Sequence, residues 1–435
     1  MTTMTEAFRA DADWARAQDA ADPLRAFRDE FHIPIHDGPP HGEGEQTYLV
    51  GNSLGLQPRG VRQAVLDELD DWARLGVEGH LHARHPWLPY HAEVRDGLAE
   101  VVGAEPAEVV AMNSLTANLH LLMVSFYRPT RERHAVLIER NAFPSDRDLV
   151  ASQIRFHGHD PAEALIELDG DEPGGTISMQ AIERALAEHG PRIALVLWPG
   201  VQYLTGQAFD PAAVAKLAHA QGCTVGFDCA HAAGNIDLAL HDSGCDFAAW
   251  CSYKYLNSGP GAVAGAFVHA RHARARLPRF EGWWGRNEAT RFEMRPEFES
   301  TAGADGWQLS NPPILALAPL RVSLDIFQRA GMQRLREKSK RLTAYLAWLL
   351  ETRLGDTLEI ATPSEPERRG AQLSLRVRAG RDAGQSLFDS MTAQGVLGDW
   401  REPDVMRIAP TPLYNTYSDS LRYAEAALAW RRQHA

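Results

Sequence analysis

The sequence predicts an α/β protein, a mostly parallel sheet with helices on both faces, followed by a smaller α+β domain. Two observations carry this expectation. Between residues 135 and 268 short apolar runs alternate with amphipathic stretches, the pattern of strand–helix–strand units. Beyond Pro313 a long helical stretch to about Leu350 leads into a second, shorter set of apolar runs.

The elements follow in order. An amphipathic opening helix, a polar loop (HDGPPHGEGEQ) and the turn-rich LVGNSLGLQP occupy the chain up to about Gly60. VRQAVLDELDDWARL and AEVRDGLAEVV read as helices, separated by the His/Pro-rich GHLHARHPWLP. AVLIE (135–139) reads as a strand, SDRDLVASQI as a helix, and Ser178 opens the helix SMQAIERALAEHG. IALVLW (193–198), CTVGFD (223–228), DFAAWC (246–251) and AVAGAFV (262–268) are further strands, with PAAVAKLAHAQG a helix between the first two. LEIATP, AQLSLRV and VMRIAP, with closing helices, form the second pattern. The boundary, near 315–330, is carried by helix rather than linker.

Composition narrows the function. The chain has 435 residues, 44% of them hydrophobic and 23% charged, enough for two or three domains with a sizeable core. A net charge of −13 argues against general affinity for nucleic acid or anionic membrane. No apolar run approaches the ~20 residues that span a bilayer, and the opening residues lack the apolar core of a secretory signal. A cytosolic protein is expected. Cys223, Cys229, Cys245 and Cys251 form no CxxC pair, so a zinc site is not expected and they read as small buried hydrophobes.

Lysine usage is more informative. The chain has only Lys216, Lys254, Lys338 and Lys340. Three sit on helix faces, whereas Lys254 lies between two tyrosines in AAWCSYKYLNSGPG, after an apolar run and before a Gly/Pro turn. A desolvated amine there is nucleophilic; the alternative is a snorkelling lysine at a strand end. The nearest approach to GxGxxG, Gly259–Ala264, lacks the last glycine and precedes a strand, and no Gly-Lys pair exists for a phosphate loop. Standard nucleotide chemistry is disfavoured. Asp228, at a strand end in VGFDCAH, precedes Lys254 by one strand, and Thr116 opens a helical run after a short turn. A lysine for a Schiff base, a carboxylate for a pyridine nitrogen and a helix start for a phosphate are the protein's half of pyridoxal-phosphate chemistry.

Several stretches extend that set. LVGNSLGLQP (49–58), MNSLTANLHLLM (112–123), NAFPSDRDLVASQ (141–153), TGQAFD, VGFDCAHAAGNIDLALHDSGCDFAAWCSYKYLNSGPG (225–261), GWWG (282–285), LSNPPIL (309–315) and RIAPTPLYN (407–415) run in order from about residue 48 to 415. With them the chain resembles the kynureninases, pyridoxal 5'-phosphate enzymes of aminotransferase fold type I. The resemblance implies a seven-stranded-type sheet, an N-terminal segment (1–60) packing with the small domain, a large coenzyme-binding domain (61–315) and a small C-terminal domain (316–435).

The resemblance also implies roles. Lys254 holds the coenzyme as a Schiff base and then moves the substrate's α-proton. Asp228, with Asp146 near it, faces the pyridine nitrogen, and Phe143 stacks on the ring beside Pro144 and Ser145. Leu115, Thr116, His231 and Tyr253 surround the phosphate and ring edge, and Tyr253 is a candidate proton carrier. Trp283 and Asn311 reach coenzyme or substrate across a homodimer interface. Arg407 clamps the substrate α-carboxylate, with Ser53 also at the substrate. His80, Ser310 and Asn311 offer polar groups to the aryl ring, which resembles the type favouring 3-hydroxykynurenine. The implied reaction is hydrolytic β,γ-cleavage of kynurenines to an anthranilate and L-alanine, in tryptophan degradation and NAD biosynthesis. The alternatives are an aminotransferase, a cysteine desulfurase, which needs a cysteine well after the lysine where none follows Cys251, or a non-catalytic scaffold.

Overall fold

The computed structural model describes residues 7–36 and 44–434; of the polar loop expected at 36–46, residues 37–43 lie outside the described residues, and His36 pairs with Gly44. Seven strands form the central sheet: β1 (Val109–Ala111), β2 (Ala135–Glu139), β3 (Leu165–Leu168), β4 (Ile193–Pro199), β5 (Thr224–Asp228), β6 (Phe247–Trp250) and β7 (Gly265–Val268). Their spatial order is β1-β7-β6-β5-β4-β2-β3. The run β6-β5-β4-β2-β3 is parallel throughout, and β7 is antiparallel to both of its neighbours. Covered on both faces, the central strands are buried almost residue for residue, which is why they read as apolar runs.

The two faces share those strands by alternation. Leu137, Phe227 and Trp250 join one core cluster, Ile138, Leu197 and Phe247 the other. The principal helices are α1 (Ala12–Ala21), α2 (Val61–Leu75), α3 (Leu115–Phe126), α4 (Pro144–Phe156), α5 (Met179–His189), α6 (Pro211–Ala220), α7 (Ile314–Ala330), α8 (Met332–Leu354), α9 (Arg381–Ala393) and α10 (Tyr417–His434). Ser178 caps α5 and Asp210 caps α6, each side chain accepting from a first-turn backbone N–H.

Three readings needed correction. The long helix expected after Pro313 is two helices broken at Gly331, whose φ of 76° is left-handed and whose N–H closes on the Phe327 carbonyl. There the chain changes partners, since α7 carries Leu317, Leu320 and Phe327 into the large core while α8 lends Leu346 and Leu350 to the small one. The run at 262–268 becomes strand only from Gly265. Strands β1 and β3 escaped the pattern, because three residues are too few to show a period and Glu167 interrupts LIEL.

The smaller sheet comprises β8 (Leu358–Ile360), β9 (Leu373–Val377), β10 (Asp399–Arg401) and β11 (Val405–Ile408), antiparallel in the order β8-β9-β11-β10. Helix α1 packs on α10, and Thr47–Tyr48 pairs in parallel with Val396–Leu397.

Glycine fixes one central approach. A Cβ on Gly226, in β5, would overlap the Phe247 ring on β6. Gly226→Ala is expected to cost about 1–3 kcal/mol of stability, the usual cost of overpacking a core. It is measured as a lowered urea midpoint, and an unchanged midpoint would contradict this packing.

Candidate active site

Parallel strands of an open α/β sheet deliver their carboxyl ends to one edge, where ligands bind. Glu139 ends β2, Pro199 ends β4 and Asp228 ends β5, and all three line one cavity of about 260 Å³. Lys254 enters from the loop after β6, and the start of α3 contributes Ser114, Leu115 and Thr116. Phe143, Ser145 and Asp146 come from the start of α4, with Tyr203, His231 and Tyr253 closing the wall.

Hydrogen bonds fix the polar groups. Lys254 Nζ lies 2.9 Å from His231 Nε2. Burial and the neighbouring ammonium push the His231 pKa far down, so the imidazole is neutral and accepts through Nε2. Its Nδ1 then carries the ring proton and is buried without a partner. The backbone N–H of Ala230 donates to Asp228 at 2.7 Å. Asp146 and Asp228 sit close enough to share a proton, and burial raises both carboxyls. Asp146 holds the proton more firmly, because Ala230 and Lys254 favour the anion on Asp228.

Glu139, pushed up to about 8 by burial, is a third carboxyl in the same wall. Its hydrogen-bond partner, the Gln202 amide, is oriented by donors from Leu204 and Thr205 on its oxygen. Burial first, then Cys251, raises the Tyr253 hydroxyl, which stays protonated as a donor.

The turn-rich N-terminal motif locks the lysine loop. Gly55 N–H donates to the Tyr253 carbonyl at 2.8 Å, and a Cβ on Gly55 would meet the Lys254 carbonyl and Asn257. A Cβ on Gly51 would meet Tyr414 and Thr411, so the same motif bears on the segment that follows β11.

These residues fit pyridoxal phosphate. Of the three buried carboxyls that line the cavity, Asp228 is the one that keeps its charge, and an anion there suits a protonated ring nitrogen. Phe143, 41% exposed and opening on the cavity, offers an aromatic face, and its edge-to-face contact with Tyr203 holds it there. The first turn of α3, with the Thr116 hydroxyl, offers donors to a phosphate.

The expected residues divide. Leu115, Thr116, Phe143, Ser145, Asp146, Asp228, His231, Tyr253 and Lys254 meet at the cavity. Pro144 opens α4 as its first residue rather than lining the wall. Ser53, His80, Trp283, Ser310 and Asn311 lie outside this cavity; Ser310 and Asn311 are exposed, and Trp283 packs its edge against Phe292. Arg407 is buried behind Tyr203 and gives its fork to Asp399. Sequence reasoning passed over Glu139 and Tyr203. Glu139 had a readable signal, a carboxylate closing an apolar strand as Asp228 does.

Fold and site together define a pyridoxal-phosphate enzyme of aminotransferase fold type I. Solved structures agree on the fold. A cysteine desulfurase from Escherichia coli superimposes with a TM-score of 0.72 at 16% identity, over 94% of this chain and 98% of its own. A cystine C–S lyase gives 0.71 at 17% identity, over 88% and 97%. The cysteines separate this chain from a desulfurase: all four are buried and none lines the cavity. Residues 335–427 match the kynureninase C-terminal domain. The kynureninase of Xanthomonas euvesicatoria pv. vesicatoria is 62% identical over 96% of this chain and 97% of its own. That of Stenotrophomonas maltophilia is 62% identical over the same shares. The chain belongs to the kynureninase family, and its cofactor is pyridoxal 5'-phosphate.

Glu139 makes a pH prediction. The folded chain keeps its proton up to about pH 8, whereas the unfolded chain releases it near the ordinary value of 4.5. The folded state therefore binds more protons across that window, and stability falls as pH rises through it. In the coenzyme-free protein, Glu139→Gln is expected to flatten this fall by up to a few kcal/mol between about pH 5 and 8. Urea titrations across the window check it, and a slope equal to that of the parent would contradict it.

Proposed function

We propose that this chain hydrolyses the β,γ-bond of L-kynurenine and 3-hydroxy-L-kynurenine, giving anthranilate or 3-hydroxyanthranilate and L-alanine, with preference for the hydroxylated substrate. The carrying observation is the cavity itself, where Lys254, the Asp228–Asp146 pair and the Phe143 face surround one ring-sized space. Bound there, the coenzyme supplies an electron sink for charge released at the substrate's α-carbon.

The chain's own groups do the rest. Lys254 would hold the coenzyme, and its amine is placed to carry a proton from the substrate's Cα, with neutral His231 at 2.9 Å to accept its hydrogen bond. Asp228 keeps the ring nitrogen charged, and Asp146 donates to Asp228 to hold that carboxylate in place. Tyr253, kept protonated, is suited to deliver a proton rather than to withdraw one. Leu115 and Thr116, on the first turn of α3, hold the phosphate end, and Arg407 meets the α-carboxylate.

The substrate's aryl end is assigned to a homodimer. His80 packs edge-on against Trp87 with centroids 5.5 Å apart. Trp87 lines an apolar cleft of about 470 Å³ with Trp72 and the segment Pro313–Ala316, which follows Ser310 and Asn311 after Pro312. Trp72 and Leu315 there are 61% and 44% exposed, and Val77 and Leu81 nearby are exposed as well. This exposed apolar face supports a second copy covering it, which would bring His80, Ser53, Trp283, Ser310 and Asn311 to a shared site. The division into an N-terminal segment, a large domain and a small domain belongs to this reading. So do cytoplasmic location and a role in tryptophan degradation and NAD biosynthesis. Among the described residues no helix is long and apolar enough to cross a membrane.

An equal mixture of kynurenine and 3-hydroxykynurenine offered to the loaded enzyme tests this reading. 3-Hydroxyanthranilate is expected to dominate, and His80→Ala to narrow the ratio of specificity constants by about 10-fold or less, the scale of one hydroxyl contact. Dominant anthranilate would contradict the preference, and absence of both acids would contradict the reaction.

A further inference from the structure

Arg407 is 1% exposed and sits on β11 directly across from Asp399 on β10. Its Nε and Nη2 donate to the two Asp399 oxygens at 3.2 and 2.8 Å, and its Nη1 donates to the Tyr203 carbonyl at 2.8 Å. A guanidinium has five N–H groups, so two remain. The same Tyr203 carbonyl accepts from Gln372 at 2.9 Å, and Gln372 accepts from Asn52 of the turn-rich motif at 2.9 Å. Tyr203 itself forms the cavity wall beside Phe143. The Arg407 guanidinium is thus fixed at one end to Asp399 and at the other to the backbone of Tyr203, a residue of the cavity wall.

Asp399 is not neutralised by Arg407 alone. Arg401 pairs with the same carboxylate, its Nη2 donating to Oδ2 at 3.1 Å. Two arginines share one acid, and the cluster keeps a net positive charge. That charge reaches His231 across the cavity wall. A buried arginine with its side-on fork occupied cannot turn; it can only offer its remaining donors in one direction.

We propose that Asp399 is a positioning residue for substrate recognition. It holds the Arg407 guanidinium at the angle where the two remaining N–H groups meet the carboxylate of an amino-acid ligand, while Arg401 leaves the cluster positive enough to attract one. The proposal rests on the reading that Arg407 meets the α-carboxylate.

The test uses the loaded enzyme and two probes, L-alanine and the decarboxylated amine of kynurenine, which lacks the carboxylate. Each is titrated against the visible absorption of the bound coenzyme in the parent, Asp399→Asn, Asp399→Glu and Arg407→Lys. Asp399→Glu keeps the charge, and with it the buried ion pair, so it carries the test if Asp399→Asn fails to fold. Both Asp399 variants are expected to weaken L-alanine by about tenfold and the amine by less than about twofold, the loss of one oriented charge-assisted contact. For kynurenine, KM is expected to rise more than kcat falls. A merely structural Asp399 would weaken both probes equally in Asp399→Asn and be rescued in Asp399→Glu, and either result overturns the proposal. If Arg407→Lys weakens L-alanine selectively while the Asp399 variants do not, only the positioning role falls. If Arg407→Lys leaves L-alanine unchanged, the clamp reading falls and takes the proposal with it.

Discussion

Three carboxyl groups crowd one wall of the cavity against a single lysine, and most of the structure serves to keep them there. Glu139 and Asp228 are the last residues of buried parallel strands, and Asp146 lies in the first turn of a helix. None could be buried as an isolated anion without a cost of several kcal/mol. Sharing a proton between Asp146 and Asp228, protonating Glu139 and drawing Lys254 close lower that cost. A cationic ring nitrogen lowers it further. The ring nitrogen would be a direct partner for Asp228, the one acid of the three that keeps its charge, and binding the coenzyme stabilises the chain as well as equipping it.

Close approaches of backbone make the arrangement rigid. Gly55 lets the N-terminal motif lie directly on the lysine loop, and Gly51 lets it lie on Thr411 and Tyr414, beyond the smaller sheet's last strand. Val50 bridges to Ala409, and Asn52 reaches the Arg407 support through Gln372. One short segment therefore touches the lysine loop, the strand end after Ile408 and, through Gln372, the Tyr203 carbonyl that also holds Arg407. Its residues are dictated by contact at both ends, which explains why so compact a motif was recognisable.

Much of this was legible in the sequence, for identifiable reasons. The central strands announced themselves because burial on both faces demands continuous apolar runs. Lys254 stood out because the other lysines sit on helices, and Asp228 because an acid closing an apolar strand needs a partner. Glu139 obeyed the same rule but lay far from the lysine in sequence, so nothing joined the two before the sheet did. Gly331 marked a helix break that periodicity alone could not separate from a tolerated helical glycine. Trp283, Ser310 and Asn311 were named through resemblance, and no single-chain pattern could place them, since their reading requires a second copy. The pairing of Arg407 with Asp399 was equally hidden, because cross-strand register follows from turns and packing rather than from either residue.

Asp228 at the end of β5 is placed to keep the coenzyme's ring nitrogen protonated, and a nitrogen-15 chemical shift reads that state directly. Labelled pyridoxal phosphate would be loaded into the parent and Asp228→Asn and its ring-nitrogen shift followed from about pH 6 to 9, a range well above an unperturbed carboxyl. A pyridinium shift is expected across the range in the parent and a neutral-pyridine shift in Asp228→Asn. A neutral nitrogen in the parent, or a pyridinium that persists unchanged in Asp228→Asn, would contradict it.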